Sequence, residues 1–383
     1  MGSVGKIKGF SISSSSSSAA ALVLFPLVFL AQESVAISTS DSLNYTTFRP
    51  QISSLRLARI QRHLDRINKP PVLTIQSPDG DIIDCVHRRK QPALDHPLLK
   101  NHKIQRVPSA MPKAMRMVKT DAAKDNANTT SGGGSKGVRQ TWHQDGRRCP
   151  KGTVPIRRST VHDVLRAKSL YDFGKKKSRY TTAAAGRRPE APDVVSGNGH
   201  EHAIAYTTGS GEVYGAKATI NVWDPRIEVV NEFSLSQIWV LSGSFDGSDL
   251  NSIEAGWQDP NLGNWWMGFG ENTLVGYWPT EIFSHLADRA TMVEWGGEVV
   301  NSRANGHHTL TQMGSGHFPE EGFAKASYFR NLEIVDSDNS LSSAHDISTL
   351  AENTNCYNIK SSYNNEWGTH FYYGGPGKSP QCP

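Results

Sequence analysis

The amino-acid sequence predicts a mainly β protein, with a sandwich or barrel in its C-terminal half and a small α+β region before it. Three observations carry this reading. The composition is polar yet globular, 37% hydrophobic with 34 glycines and 20 prolines, which favours turn-rich β structure over helical bundles. Beyond His200, short β-prone runs recur between glycine turns: Ala203 to Tyr206, Val213 to Val222, Ile238 to Leu241, Ile253 to Trp257, Trp265 to Phe269, Met292 to Val300 and Ala326 to Phe329. In the same half one segment alone has helical periodicity, Pro279 to Ala290, with proline in its first turn and Ile282, Phe283 and Leu286 on one face.

Upstream the elements are fewer. Leu57, Ile60, Leu64 and Ile67 recur at three- and four-residue steps among charged residues, so an amphipathic helix is expected there, stopped by Pro70 and Pro71. Val72 to Ile75, the turn Pro78-Asp79-Gly80 and Ile82 to Val86 read as a hairpin. The stretch Asp121 to Gly137, rich in Asn, Thr, Ser and Gly, is a loop that builds no core.

The first residues have the layout of a secretory signal peptide. Lys6 and Lys8 precede an apolar run from Ala19 to Ala31, and Ser34-Val35-Ala36 offers a cleavage site. The run is broken by Pro26 and is too short to cross a bilayer, so no membrane contact is expected after cleavage. The expected organisation is a signal peptide over 1–36, a first unit over 37–180, a linker over 181–199 containing Pro189 and Pro192, and a second unit over 200–383.

Secretion places Cys85, Cys149, Cys356 and Cys382 in an oxidising compartment, where an even count implies two disulfides. Three pairings are possible, and the simplest keeps each bridge within one unit. Their spacing fits no zinc ribbon or redox motif, and neither a metal nor a cofactor is expected. Asn44 and Asn128 head glycosylation sequons. The formal charge of +5 collects upstream, around Arg157, Arg158 and Lys175 to Lys177, without interleaved aromatics, which argues against a nucleic-acid partner.

Familiar catalytic patterns do not account for the chain: His-Glu-x-x-His and a phosphate loop are missing, and no cysteine has a nucleophile's context. Among the histidines, His307-His308 and His317 read as surface or hydrogen-bonding residues rather than ligands. Two glutamates stand out, each in an apolar strand beside tryptophan and glycine. Strand alternation puts Ile253, Ala255 and Trp257 on one side and Glu254 on the other; likewise Val293, Trp295 and Val299 oppose Glu298. Two such carboxyls meeting in a groove can hydrolyse an amide, one taking a proton from water while the other, kept protonated, polarises the carbonyl or protonates the leaving nitrogen. From spacing alone the simpler reading is that both are ordinary solvent-facing glutamates.

The surrounding words reverse that preference. Ile253-Glu254-Ala255-Gly256-Trp257, Gly263-Asn264-Trp265-Trp266, Val275-Gly276-Tyr277-Trp278-Pro279, Trp295-Gly296-Gly297-Glu298-Val299 and Met313-Gly314-Ser315-Gly316-His317-Phe318 resemble the neprosin domain in order and wording. The first unit resembles that family's activation peptide through Asp81-Ile82-Ile83-Asp84-Cys85-Val86, Gln91-Pro92-Ala93-Leu94-Asp95-His96-Pro97 and Cys149-Pro150-Lys151-Gly152-Thr153-Val154. The resemblance implies an antiparallel β-sandwich and a plant-type glutamic endopeptidase that cuts after proline in acid, secreted to the cell wall or vacuole. It also implies a prosegment that is removed to free the site, so the partners are proline-containing peptides and the chain's own prosegment. The family's catalytic pair maps onto Glu254 and Glu298, with Glu298 as the water-activating base by similarity to other glutamic peptidases.

One departure matters. In the family, the segment after Ala-Gly-Trp-Gln continues for several dozen residues with further strands, whereas here Gln258 runs directly into Asp259-Pro260 and the two glutamates are 44 residues apart. The clean join points to a skipped exon or a mis-joined gene rather than gradual erosion, and it predicts unpaired strand edges and loss of activity. A second reading is a non-catalytic sandwich that binds cell-wall peptide or polysaccharide through exposed Trp265, Trp266 and Tyr277.

Overall fold

The computed structural model describes residues 53–116, 140–174 without 168 and 172, residue 192, and 199–383 without 209–211, 230–231, 245–248, 271–272 and 304–306. The signal peptide, both sequons, the Asp121 to Gly137 loop and nearly all of the linker lie outside the described residues.

The first unit begins with α1 (Ser54–Ile67), whose first turn is closed by the Ser53 side chain accepting from the Arg56 amide at 3.3 Å. Its predicted apolar face is buried at Ile60 and Leu64, against Val164 of the short α3 (Val161–Leu165). The predicted hairpin is β1 (Pro71–Gln76) with β2 (Ile82–His87), and its turn relies on Gly80 at φ 87°. A third strand, β3 (Thr153–Arg157), pairs on the far side of β2. The Cys85–Cys149 disulfide and the Arg158–Asp84 ion pair at 2.6 Å tie the start and end of the unit together. Between these strands a strap runs through α2 (Lys113–Arg116) and crosses the second unit.

The second unit is an antiparallel β-sandwich. One sheet has five strands, in the order β14 (Ile347–Ala351), β4 (His200–Thr207), β11 (Met292–Val300), β6 (Phe233–Ser242) and β7 (Asn251–Ile253). The other has eight. Its path is β10 (Thr273–Trp278), β9 (Trp265–Phe269), β8 (Gly256–Gln258), β5 (Gly215–Ile220), β12 (Ser327–Val335), β16 (Gly368–Gly374) and β15 (Asn358–Asn364), with β13 (Leu341–Ser343) beside β12. Between the sheets Ala203, Val240, Val293 and Trp295 from the first interlock with Trp265, Phe329 and Phe371 from the second. The Cys356–Cys382 disulfide closes the C-terminal end, completing the within-unit pairing.

Two predicted elements differ. Ile253 to Trp257 is not one strand: the chain leaves the five-stranded sheet after Ile253 and joins the eight-stranded sheet at Gly256. Gly256 sits at φ +128°, where an added Cβ would lie 2.1 Å from the Trp266 carbonyl oxygen, so only glycine fits this close crossing. The helix over Pro279 to Ala290 is also absent, and only Thr280–Ile282 coils, as a 3₁₀ turn. Asn251 Oδ1 accepts from the amides of Ser284, His285 and Leu286, while the Leu286 carbonyl accepts from Trp265 Nε1 at 2.7 Å. These long-range bonds consume the groups a helix would have used.

The aromatics assigned to exposed surface also differ from expectation. Trp265 and Trp266 are 0% and 2% exposed, and the Tyr277 hydroxyl is occupied by His102 and the Gln105 amide. Trp265 is a core residue, while Trp266 and Tyr277 lie against the strap of the first unit.

Candidate active site

Strand parity places the functional row. On β11, Val293, Trp295 and Val299 join the inter-sheet core, so Glu294, Gly296 and Glu298 face outward from the five-stranded sheet. The ladder sets Glu298 opposite His202 on β4 and Leu235 on β6, and Ala351 opposite Ala203, so Glu352 follows β14 at the level of His202. The result is a cross-strand row, Glu352, His202, Glu298 and Leu235, on one face.

The row is tightly bonded. His200 Nδ1 lies 2.6 Å from Glu298 Oε1, and His202 Nε2 lies 3.7 Å from the same oxygen. The other ring nitrogen of His202 is 2.9 Å from Glu352 Oε2, which also accepts from the His202 backbone amide at 2.7 Å. Glu298 is only 3% exposed, and a carboxylate so withdrawn from water requires such partners. Phe233 stands edge-on to the His200 ring at 5.8 Å and fixes its tilt.

Beside Glu298 on β11, Gly296 lets the backbone of β4 approach closely. Its φ is +148°, and a Cβ there would come within 2.3 Å of the Ala203 carbonyl oxygen. Glu294, two residues before Gly296 on the same side of β11, is 4% exposed. Glu254 follows β7: the ladder pairs Ile253 with Val240 and Val240 with Val293, so Glu254 leaves the sheet at the level of Glu294. Ile253 and Ala255 both pack into the inter-sheet core, and Glu254 lies between them where the chain passes from β7 to β8. The two predicted glutamates sit on different elements, Glu298 within β11 and Glu254 in the crossing between β7 and β8.

Glu201, between the two histidines in sequence, points to the opposite face and meets His308 Nε2 at 2.5 Å; burial pushes its carboxyl above the usual range. Sequence reasoning missed His200, His202, Glu294 and Glu352 as site residues. The available signal was the alternation His200-Glu201-His202, which puts two imidazoles on one strand face. Among the described residues, His308, Cys356 and Cys382 cluster at metal-ligand spacing, but the two sulfurs are consumed in the disulfide. His317 pairs with Glu321 at 2.9 Å, in keeping with a hydrogen-bonding surface histidine.

The residues on either side of the shortened segment are paired. Gln258 donates its amide to Tyr214 and Asp259 its amide to Asn264, at 2.7 and 2.8 Å. The sheet edge left near the join is β7, three residues long.

Comparison with protein families gives two matches in chain order. The family model of the neprosin activation peptide matches residues 74–206, and that of neprosin matches residues 257–376, which include Glu298 and leave Glu254 outside. Together with the antiparallel sandwich and the strapped first unit, these matches show that the chain belongs to the neprosin family of peptidases and carries that family's activation peptide ahead of its β domain.

Proposed function

We propose that this chain is a secreted glutamic endopeptidase that cleaves peptides after proline in acid, with Glu298 as the base and Glu254 as its partner. The observation that carries the reading is Glu298 itself: a nearly buried carboxylate, inside the family-matched region and approached at one oxygen by two imidazoles. Glu298 accepts a proton from water as the water attacks the carbonyl carbon. Glu254, protonated, polarises the carbonyl oxygen through a hydrogen bond and keeps its proton, and as the tetrahedral intermediate collapses Glu298 returns the proton taken from water to the leaving nitrogen. The segment 1–36 directs secretion, 37–180 is the prosegment, and cleavage in 181–199, near Pro189 or Pro192, frees the domain 200–383.

The test is hydrolysis of a proline-containing peptide at acidic pH by the full chain, side by side with a version that carries the family's missing run after Gln258. Glu298→Gln lowers the rate of whichever form is active by roughly 10²- to 10⁴-fold, because an amide cannot take water's proton. Restoring the run raises the rate. Undiminished hydrolysis by Glu298→Gln sinks the assignment.

A further inference from the structure

The strap that crosses the second unit is itself a proline-bearing peptide bound on a sheet face. It runs across the strands from β10 to the turn after β12, and the sheet grips its main chain along the way. The Tyr277 hydroxyl accepts from the Gln105 amide at 2.8 Å, Asp259 Oδ2 from the Ser109 amide at 2.7 Å and the Asn339 carbonyl from the Lys113 amide at 2.9 Å, while Asn339 Nδ2 donates to the Met111 carbonyl at 3.1 Å. Main-chain bonds of this kind give affinity without reading a sequence.

Side chains add the selectivity. Between Asn101 and Lys113 the buried positions are Pro108, Met111 and Pro112. Met111 packs on an aromatic row in cross-strand register, with Trp257 on β8, Trp266 on β9 and Tyr277 on β10; the last two ring centroids are 4.7 Å apart. A surface lined with aromatic rings suits proline, which is apolar and loses little freedom on binding. Charge agrees: from His102 to Arg116 the strap has four Lys and Arg residues and no acid, and it meets Asp259 and Glu281.

The strap does not exhaust this face. The indole nitrogens of Trp257 and Trp266 are buried without a hydrogen-bond partner among the described residues. A cavity of about 290 Å³, lined in part by Tyr214, Asp336 and two of the fastening residues, Asp259 and Asn339, stays open. Another peptide thus finds free donors, acceptors for its amides once the strap has gone, and room.

We infer that the aromatic row of β8, β9 and β10 is a second peptide-binding site: after the prosegment leaves, it holds a proline-containing segment of a substrate chain, on the face opposite Glu298. The inference takes from the proposed function only that the prosegment is removed and that proline-containing chains are the substrates. In the intact chain the strap keeps the site closed.

The experiment uses the full chain carrying Ser109→Glu and Met111→Asp together, which set negative charge against Asp259 and the two indoles and lift the strap. Binding is read at neutral pH by fluorescence anisotropy of three labelled peptides: residues 104–113, the same peptide with alanine at both prolines, and an unrelated Pro-Gln repeat. The lifted chain binds the strap peptide and the Pro-Gln repeat in competition with each other, and the alanine form about 10-fold more weakly. Adding Asp259→Asn weakens both proline peptides about 10-fold, since the charged acceptor is lost. The parent binds at least about 100-fold more weakly, because the tethered strap competes. Should the lifted chain not melt cooperatively, the parent gives the same answer: either proline peptide at saturation displaces the strap and speeds hydrogen exchange at residues 105–111.

Binding of the strap peptide but not of the Pro-Gln repeat makes the face a private seat of the prosegment and overturns the inference. So does equal binding of the alanine form, indifference to Asp259→Asn, or self-association of the lifted chain that excludes peptide. The readout is binding, not turnover, so the two readings separate. Absence of binding here leaves Glu298 as the base, whereas normal hydrolysis by Glu298→Gln removes the base and leaves this site standing.

Discussion

The two sheets turn unlike faces outward. On the eight-stranded sheet, Trp257, Trp266 and Val335 form an apolar surface that Met111 of the strap covers. The strap is fastened at Asp259, fully buried, which accepts from the Ser109 amide at 2.7 Å, from the Ser109 hydroxyl and from Gln105 Nε2 at 2.9 Å. Asn264 donates to Gln105 at 2.8 Å, and the Tyr277 hydroxyl joins His102 and the Gln105 amide. On the five-stranded sheet the outward row is Glu352, His202 and Glu298, satisfied from within the second unit. One face is thus completed by the first unit, while the other carries its own partners. Removing the prosegment strips apolar cover and the three donors to Asp259 from the first face, and leaves the described bonds of the acidic row intact.

Breaking the covered face has the larger effect on stability. Trp266→Ala deletes a side chain packed against Met111 and Trp257, and costs about 3–5 kcal/mol, read as a drop in the midpoint of denaturant unfolding. An unfolding midpoint within error of the parent would show that this surface holds neither sheet nor strap.

A smaller change isolates the fastening. Asp259→Asn keeps the shape, removes the charge and presents an amide to donors, at a cost of about 2 kcal/mol in strap docking. Hydrogen exchange at residues 105–111 measures it, and exchange no faster than in the parent would contradict the role. The same group gives the strap a pH dependence. Burial pushes the Asp259 carboxyl upward, but the bonds from Ser109, Gln105 and Asn261 outweigh it and hold it below the usual carboxylate range. A depressed folded value means that the stabilisation is complete above the ordinary Asp value of about 4 and is lost as pH falls through the lowered one. Protection of the strap amides, measured against their intrinsic exchange rate at each pH, therefore falls in acid in the parent, and that fall is absent in Asp259→Asn.

Local periodicity carried much of this fold. The stripe Ile60 and Leu64 lies buried on α1, the hairpin turns at Gly80, and β11 alternates as its sequence implies, so the outward side of Glu298 was readable from parity alone. Legibility ended where side chains capture backbone from a distance. Asn251 takes three amides of 284–286, and no local pattern at Pro279 to Ala290 reveals it. The break within Ile253 to Trp257 had a signal in Gly256, since glycine inside a strand marks close approach of another backbone. The polar strands β13 to β15, built from residues such as Ser342, Thr349 and Ser361, lack the alternation that identifies a half-buried strand. For the site, parity selected Glu298 but not its partners, because Glu352 reaches His202 across 150 residues of chain and only the sheet brings them together.

Which outer face receives substrate is decided most directly by amide exchange on the full chain carrying Glu298→Gln, with and without a saturating proline-containing peptide at acidic pH. Protection is expected on β4, β6 and β11 around His202, Gly296 and Leu235, with the amides at Trp257 and Trp266 unchanged. Protection confined to β8, β9 and β10, where the strap lies, would place the peptide on the other sheet and contradict the acidic row as the active site.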